Sequence, residues 1–186
     1  MVKPIIQIGD KRLVQTSEPI EIGSISSGKI QDLAKDVLDT TIANQKSAAG
    51  LSAVQIGEMK RLFVVKLMGK EDEPDSWLTM INPEVVKTSK SQSMEWEGCM
   101  SISNNKRRLF GPVYRSKEVE IEYYDLEANK KKIKGSGFFS HLLQHEVDHL
   151  NGVLFLSYID NPKNIWKEDE LDAYLDQYGR FPEIEE

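Results

Sequence analysis

The feature that most constrains this chain is a pair of histidines four residues apart in a segment with helical periodicity. His145, Glu146 and His149 form the pattern His-Glu-x-x-His. Four residues span just over one turn of an α-helix, so both imidazoles project from one face and can bind one metal ion. Glu146 lies beside the first histidine, where its carboxylate can take a proton from a water that the metal activates. The pattern therefore predicts a metal-binding helix.

The residues around this pattern predict that the helix is largely buried. Apolar side chains recur at helical spacing, namely Phe138, Phe139, Leu142, Leu143, Val147 and Leu150. Ser136 can cap the start of the helix, and Asn151-Gly152 can end it. Ionisable side chains on a buried helix are costly unless they have partners. This favours a metal site over the alternative, a surface helix on which two histidines meet by chance.

Two histidines leave such a site one ligand short, because metal sites that activate water usually have three protein ligands and one open position. His141 cannot join both of the others, since eight residues separate it from His149, roughly 12 Å of helix rise. A site built on His141 and His145 would put Leu142 where a base is needed. The third ligand should therefore come from elsewhere in the chain.

Cys99 is the only cysteine in the sequence, so it cannot form an intrachain disulfide. Most single cysteines are small buried apolar residues. Here the neighbours Gly98 and Ser101 suit a bend better than the centre of a packed strand. A Cys99 thiolate together with two imidazoles would make a three-ligand site with one open position.

Periodicity elsewhere predicts an α+β domain with helices near both ends. A helix is predicted from about 29 to 44 and a buried strand from 61 to 67. Shorter strands are predicted at 78–81 and 84–86, on either side of the Asn82-Pro83 break. Residues 117–124 alternate between apolar and acidic side chains, and 130–134 can return as the hairpin partner. Strands followed by a central helix are typical of an α+β fold.

Length and charge narrow the class of protein. The 186 residues are enough for one domain with a sizeable core, which we take to span 1–186. A net charge of −6 argues against broad nucleic-acid binding. Neither a signal peptide nor a membrane span is predicted, so we expect a soluble, cytoplasmic protein. Residues 161–186 form an acidic tail with a helical apolar stripe, which should pack back onto the domain.

Three segments together resemble the peptide deformylases. They are Gly50–Gly57, Glu97–Ser101 and Gln144–Gly152, in that order, and the resemblance runs from about Ile5 to about Tyr158. It implies antiparallel sheets around the helix that carries the histidines. It also implies that the chain removes the N-formyl group from N-formyl-methionyl peptides of nascent chains, giving formate and a free N-terminus.

The resemblance also implies a role for each matching residue. Cys99, His145 and His149 would bind one divalent ion, usually Fe(II) in this family, and the same ligands would accept Zn, Ni or Co. Gln55 and the backbone N–H of Met100 would stabilise the oxyanion, and Glu146 would be the general acid and base. Substrate binding would fall to a further set of residues, namely Gly50, Leu51, Glu97, Gly98, Phe138, His141 and Leu142.

The chain departs from the common family pattern at several positions. Ala49 stands where a larger aliphatic residue is common, and Ser52 replaces a frequent alanine. His141 matters more, because the family usually has an apolar residue there, lining the pocket for the methionine side chain. We expect His141 at the wall of that pocket, with little influence on metal binding. It is either a tolerated variant or a residue that changes specificity.

Two other functions remain open from the residues alone. A zincin-type metallopeptidase shares His-Glu-x-x-His, but it would leave the Cys99 segment unexplained. A non-catalytic metal-binding homologue of the deformylases is the other alternative. Some deformylases are thought to dock on the ribosome through a basic C-terminal helix. The acidic tail of this chain has the opposite sign, which puts that contact in doubt.

Overall fold

Two antiparallel sheets and the helices between and around them make up the fold. The computed structural model describes residues 1–67, 76–104 and 107–185. The strands are β1 (Gly50–Ser52), β2 (Leu62–Leu67), β3 (Ser76–Thr88), β4 (Gln92–Asn104), β5 (Arg107–Ser116), β6 (Glu118–Tyr124), β7 (Lys130–Ser136) and β8 (Trp166–Lys167). The larger sheet has the strand order β1-β2-β3-β6-β7, and the smaller has the order β4-β5-β8. The α-helices are α1 (Gly28–Ala43), α2 (Phe138–Leu150) and α3 (Glu168–Tyr178). The predicted α+β class is confirmed.

Strand β2 is buried on both faces, which explains why its sequence is apolar without alternation. Leu62 and Val64 pack into a cluster with Val37 of α1. Phe63 and Val65 point the other way, into a cluster that contains three residues of α2. Successive side chains of a strand face opposite sides of the sheet, so a strand covered by a helix on each side needs apolar residues at every position.

Helix α2 joins the two sheets. Its Leu143, Val147 and Leu150 pack against the larger sheet. The helix also directs His149 toward Cys99 on β4 of the smaller sheet. The predicted helix is present, but its start differs from the expectation. Ser136 is the last residue of β7, and the N-cap position belongs to Gly137, whose φ of 54° is easily adopted by glycine.

Two predicted breaks lie inside continuous strands. Asn82 and Pro83 are part of β3, where Asn82 has a φ of 49° and the register with β6 shifts. The Asn82 side chain stabilises this irregularity, because it accepts from the Ile20 N–H at 2.8 Å and donates to the Ile20 carbonyl at 2.7 Å. Cys99 lies in β4 rather than at a bend, although the pairing of β4 with β5 is interrupted between Gly98 and Ser103.

The predicted hairpin of β6 and β7 is confirmed, with opposite charges across it. Lys130 and Lys132 both contact Glu122, at 2.6 Å and 3.1 Å, and Lys134 contacts Glu118 at 2.9 Å. The lysine side chains are exposed, so each pair is worth at most about 1 kcal/mol. The hairpin therefore depends mainly on its buried face, which includes Ile121.

The acidic tail packs onto the smaller sheet. Leu171 on α3 is buried, and Tyr174 makes an edge contact with Trp166 at 5.3 Å between ring centroids. Trp166 pairs with Phe110 in the ladder of β5 and β8. The two-residue strand β8 was not predicted, because so short a segment has no periodicity to detect. No helix in the described ranges is long and apolar enough to cross a membrane.

Candidate metal centre and active-site cleft

Three buried or nearly buried side chains form a cluster that can hold a metal ion. The donor atoms of Cys99, His145 and His149 all lie within 4.8 Å of one another. Cys99 Sγ and His149 Nε2 are 3.2 Å apart. Bonds of about 2.3 Å to sulfur and about 2.0 Å to nitrogen in a tetrahedral site would separate two such donors by about 3.5 Å. The donor set and its spacing therefore fit a divalent ion, with one position left for water or substrate.

A carboxylate on β4 fixes the orientation of the first histidine. Glu97 Oε2 lies 2.9 Å from His145 Nδ1, and Arg115 donates to both oxygens of Glu97, from Nε at 2.6 Å and from Nη2 at 3.0 Å. Arg115 Nη1 also donates to Asp148 at 2.7 Å. Because Nδ1 of His145 is bound to the carboxylate, Nε2 is the nitrogen available to a metal.

Burial and hydrogen bonds shift the pKa values of the groups in and around this cluster in different directions. Burial raises the pKa of Glu97, but the hydrogen bonds from His141, His145 and Arg115 outweigh it, so the pKa of Glu97 lies well below its ordinary value. Burial lowers the pKa of His145, yet its hydrogen bonds to Cys99 and Glu97 raise it well above the ordinary value. The pKa of His149 is lowered well below its ordinary value by burial and by the nearby His145. A divalent ion needs a thiolate and neutral imidazoles, so its binding would release protons.

Glu146 lies next to the cluster with its carboxylate held in place. The Ser52 hydroxyl donates to Glu146 Oε2 at 2.6 Å. Burial raises the pKa of Glu146, while the charge of His145 and the bond from Ser52 act in the opposite direction. A Cβ at position 50 would lie 2.7 Å from Glu146 Oε1. Gly50 therefore leaves room for the close approach of this carboxylate to β1.

The amide of Gln55 has a defined direction. Its Oε1 accepts from the Ser52 N–H at 2.8 Å, so its Nε2 is the group that faces Cys99 Sγ at 3.4 Å and Ser101 Oγ at 3.2 Å. Gln55 is buried and follows β1 in a short 3-10 helix. Met100 lines the same cleft as Gln55, on the part of β4 where the ladder with β5 is interrupted.

A cleft opens beside the cluster and collects most of the predicted site residues. Its wall includes Gly50, Gln55, Glu97, Gly98, Cys99, Met100, Phe138, His141, Leu142, His145 and Glu146. Leu51 is different: its side chain is fully buried and packs in the cluster around α1. Neighbouring residues of a strand point to opposite faces, and Gly50 takes the cleft side, so the substrate-binding role predicted for Leu51 has no support from its side chain.

Several residues of the cleft and its support were not predicted. Glu95, Trp96, Arg108 and Phe110 line the cleft, and Arg115 anchors Glu97 from the neighbouring strand. They lie on β4 and β5 outside the three motifs, so no local pattern marks them. Ser52 could have been singled out, since a hydroxyl within a motif segment is a ready partner for a buried carboxylate.

His141 lines the cleft as expected but is not a free pocket residue. It is 2 % exposed, with Nε2 3.1 Å from Ser93 Oγ and Nδ1 3.3 Å from Glu97 Oε1. It is not part of the three-ligand cluster, in agreement with the distance argument from the sequence.

A cysteine sulfur and two imidazoles, set beside a buried carboxylate at the end of a cleft, are the arrangement expected of a metal-dependent hydrolase. The family model described as "Polypeptide deformylase" matches residues 2–165. The chain belongs to the peptide deformylase family. It is therefore an enzyme of the hydrolase class, and neither the zincin-type peptidase nor a non-catalytic homologue is favoured.

Relatives of known name agree over most of their length. The chain is 39 % identical over 162 residues to a peptide deformylase of Rhizobium meliloti (strain 1021), covering 87 % of each chain. It matches the crystal structure of peptide deformylase from Ehrlichia chaffeensis with a TM-score of 0.76 and 31 % identity, over 99 % of this chain and 100 % of that one. A Met-Ala-Ser-bound class I type b peptide deformylase from Acinetobacter baumannii matches with a TM-score of 0.75 and 28 % identity, over 86 % of this chain and 99 % of the other.

Proposed function

We propose that this chain hydrolyses the N-formyl group of N-formyl-methionyl peptides from nascent chains, releasing formate and a free N-terminus. The observation that carries the proposal is the cluster of Cys99, His145 and His149, with Glu146 buried beside it at the end of a cleft. The Acinetobacter baumannii relative binds Met-Ala-Ser, the tripeptide that deformylation of formyl-Met-Ala-Ser would leave. This supports a methionyl peptide as the substrate here.

Cys99, His145 and His149 would hold one divalent ion, and we propose Fe(II). When bound, such an ion supplies Lewis-acid chemistry, because it polarises a carbonyl and lowers the pKa of water. Thiolate with imidazole also suits Zn, Ni or Co. Glu97 keeps the His145 ring turned so that Nε2 faces the site, and Arg115 keeps Glu97 charged and in place.

Glu146 would be the general acid and base. It accepts a proton from the attacking water and returns one to the nitrogen of the leaving amine. The Ser52 hydroxyl binds Oε2, which fixes the carboxylate and leaves Oε1 on the side of Gly50 at the cleft. A raised pKa suits this exchange, since the group must both take and give a proton near neutral pH.

Gln55 and the backbone N–H of Met100 would stabilise the charge that develops on the formyl oxygen. The bond from the Ser52 N–H to Gln55 Oε1 turns the donor end of the amide toward the cluster. The donor is therefore aligned before substrate arrives. One preorganised donor of this kind is worth about 3–4 kcal/mol in the transition state.

The methionine side chain would lie in the cleft against Phe138, His141 and Leu142, with the peptide backbone along Gly50 and Gly98 of β1 and β4. We propose that the enzyme acts in the cytoplasm, where nascent chains are made. The acidic tail has the opposite charge to a basic ribosome-docking helix, which puts docking of that kind in doubt. Its Glu168 and Asp169 are instead paired with Arg108 and Arg107 of β5.

Formate release from formyl-Met-Ala-Ser tests the function. We expect metal-dependent release of one formate per peptide, none from acetyl-Met-Ala-Ser, and no cleavage of unblocked Met-Ala-Ser. Peptide-bond cleavage of the controls would point to a peptidase. Full metal binding without formate release would point to a non-catalytic homologue.

The identity of the ion is tested on protein purified without oxygen. Elemental analysis should find iron, and activity should decay in air and faster with peroxide, because a thiolate and a ferrous ion are both oxidisable. Exchange for Ni(II) or Co(II) should keep activity and slow its loss. An iron form that stays active through days of aeration would contradict Fe(II) at this site.

A further inference from the structure

His141 bonds to the carboxylate that orients a metal ligand. Its Nδ1 lies 3.3 Å from Glu97 Oε1, and the other oxygen of Glu97 lies 2.9 Å from His145 Nδ1. Both oxygens also accept from Arg115. Glu97 therefore gathers four N–H groups, and two of them belong to histidines one helical turn apart on α2.

The hydrogen positions follow from the partners. A carboxylate that accepts from an arginine can only accept, so Nδ1 of His141 must carry the hydrogen that points at Glu97. In the neutral ring, Nε2 of His141 then has a lone pair, and the hydroxyl of Ser93 donates to it across 3.1 Å. Both polar atoms of the imidazole are thereby used within the protein.

This arrangement leaves no polar atom of His141 for the substrate. A buried imidazole is costly unless its nitrogens have partners, and Ser93 and Glu97 supply them. Only carbon atoms of the ring can face the cleft. The family usually has an apolar residue at this position. The polar atoms that His141 brings there serve Glu97 and do not face the substrate.

We propose that Ser93 and His141 are positioning residues of the metal centre. Ser93 donates to Nε2 of His141 and holds the ring in place, His141 donates to Oε1 of Glu97, and Glu97 holds the His145 ring in the direction that a metal requires. The proposal rests on the proposed function, because it takes Cys99, His145 and His149 as the metal ligands. It also changes the expectation that His141 has little influence on the metal: it does not bind the ion, yet it acts on it through Glu97.

Metal release from the loaded protein tests this role. The Ni(II) form of each variant is mixed with excess chelator, and the rate of Ni(II) loss is followed. His141→Ile removes the donor to Glu97, whereas His141→Asn keeps an N–H at a position near that of Nδ1. Phe138→Leu is the matched control, since Phe138 lines the same cleft on the same helix but makes no bond to Glu97 among the described contacts.

We expect His141→Ile to release Ni(II) roughly tenfold faster than the wild type. This is the low end of the range for loss of a partner of a metal ligand, because Arg115 still holds Glu97. His141→Asn and Phe138→Leu should release it at nearly the wild-type rate, and Ser93→Ala should lie between wild type and His141→Ile. If His141→Ile does not fold, Ser93→Ala and His141→Asn still provide the comparison.

Two results would overturn the proposal. One is a wild-type release rate in His141→Ile, or in Ser93→Ala if that variant alone is available. The other is equally fast release from His141→Asn and His141→Ile, which would mean that packing and not the N–H donor matters. Failure of the wild type to bind one equivalent of Ni(II) is a separate outcome, which would reject the metal centre itself.

Discussion

At the scale of single residues, three side chains should decide whether the protein binds metal at all. Cys99→Ser or His149→Ala should abolish stoichiometric binding, since each removes one of three protein ligands. Elemental analysis after desalting measures this. His141→Ile is the control: it removes a histidine from the same helix but not a ligand, so it should retain one equivalent before any chelator is added. A full equivalent in either ligand variant would contradict the assignment.

Glu146 should be required for turnover but not for metal binding. Glu146→Gln should keep the ion and the fold but lose several orders of magnitude in kcat, because an amide can accept the Ser52 hydrogen bond but cannot take a proton from water. Glu95→Gln is the matched control, as an exposed carboxylate that lines the same cleft. Near wild-type kcat in metal-loaded Glu146→Gln would remove this residue from the mechanism.

At the scale of elements, the burial of β2 on both faces should make it sensitive to truncation. Leu62 is fully buried between α1 and the sheet. Leu62→Ala should lower the free energy of unfolding by about 2–5 kcal/mol, through lost transfer energy and the cavity it leaves. Val86→Ala on β3 is the control, because Val86 is exposed and should cost less than about 0.5 kcal/mol. Denaturant unfolding of both variants measures the difference.

The C-terminal segment should affect substrate binding through one aromatic contact. Phe181 stacks on Trp96 with ring centroids 5.4 Å apart, and Trp96 lines the cleft. Such a pair is worth about 0.5–1.5 kcal/mol, so Phe181→Ala should raise KM by at most about tenfold and leave metal content unchanged. Tyr178→Ala, an exposed ring on the same tail, is the control. An unchanged KM in Phe181→Ala would mean that the contact between Phe181 and Trp96 does not influence substrate binding.

Elements that carry their own periodicity could be predicted from the sequence, and those that depend on distant partners could not. Helices α1 and α2 and the hairpin of β6 and β7 show local patterns of apolar spacing. The strand β8 forms through the pairing of Trp166 with Phe110 on β5, a distant partner that no local pattern indicates. The cap at Gly137 likewise depends on where β7 ends, which leaves Ser136 in the strand.

The same division holds within the site. Cys99, His145, His149, Glu146 and Gln55 lie in short motifs, and the fold brings all five side chains together. The link between His141 and Glu97 could not be found from spacing, because 44 residues separate them and the geometry depends on how β4 approaches α2. The role of Arg115 could not be predicted for the same reason, since its partners Glu97 and Asp148 lie on two other elements.

At the scale of the whole molecule, a bound metal should link the two sheets and stabilise the folded chain. Cys99 belongs to β4 of the smaller sheet, while His145 and His149 lie on α2, which packs against the larger one. An ion that binds all three ligands can bind only the folded chain in this way. Its binding free energy therefore adds to the free energy of unfolding of the entire protein.

Thermal unfolding of the wild type against Ni(II) concentration tests this coupling. At a hundred times the dissociation constant the ion should add about 2.7 kcal/mol to the free energy of unfolding. For a chain of this length about 1 kcal/mol moves Tm by roughly 2–4 °C, so Tm should rise by about 5–11 °C and fall back when chelator is added. Cys99→Ser should unfold at a Tm that hardly responds to Ni(II). A wild-type Tm equally indifferent to the ion would mean that Cys99 and the two histidines do not bind it together, and that the sheets are held by their apolar clusters alone.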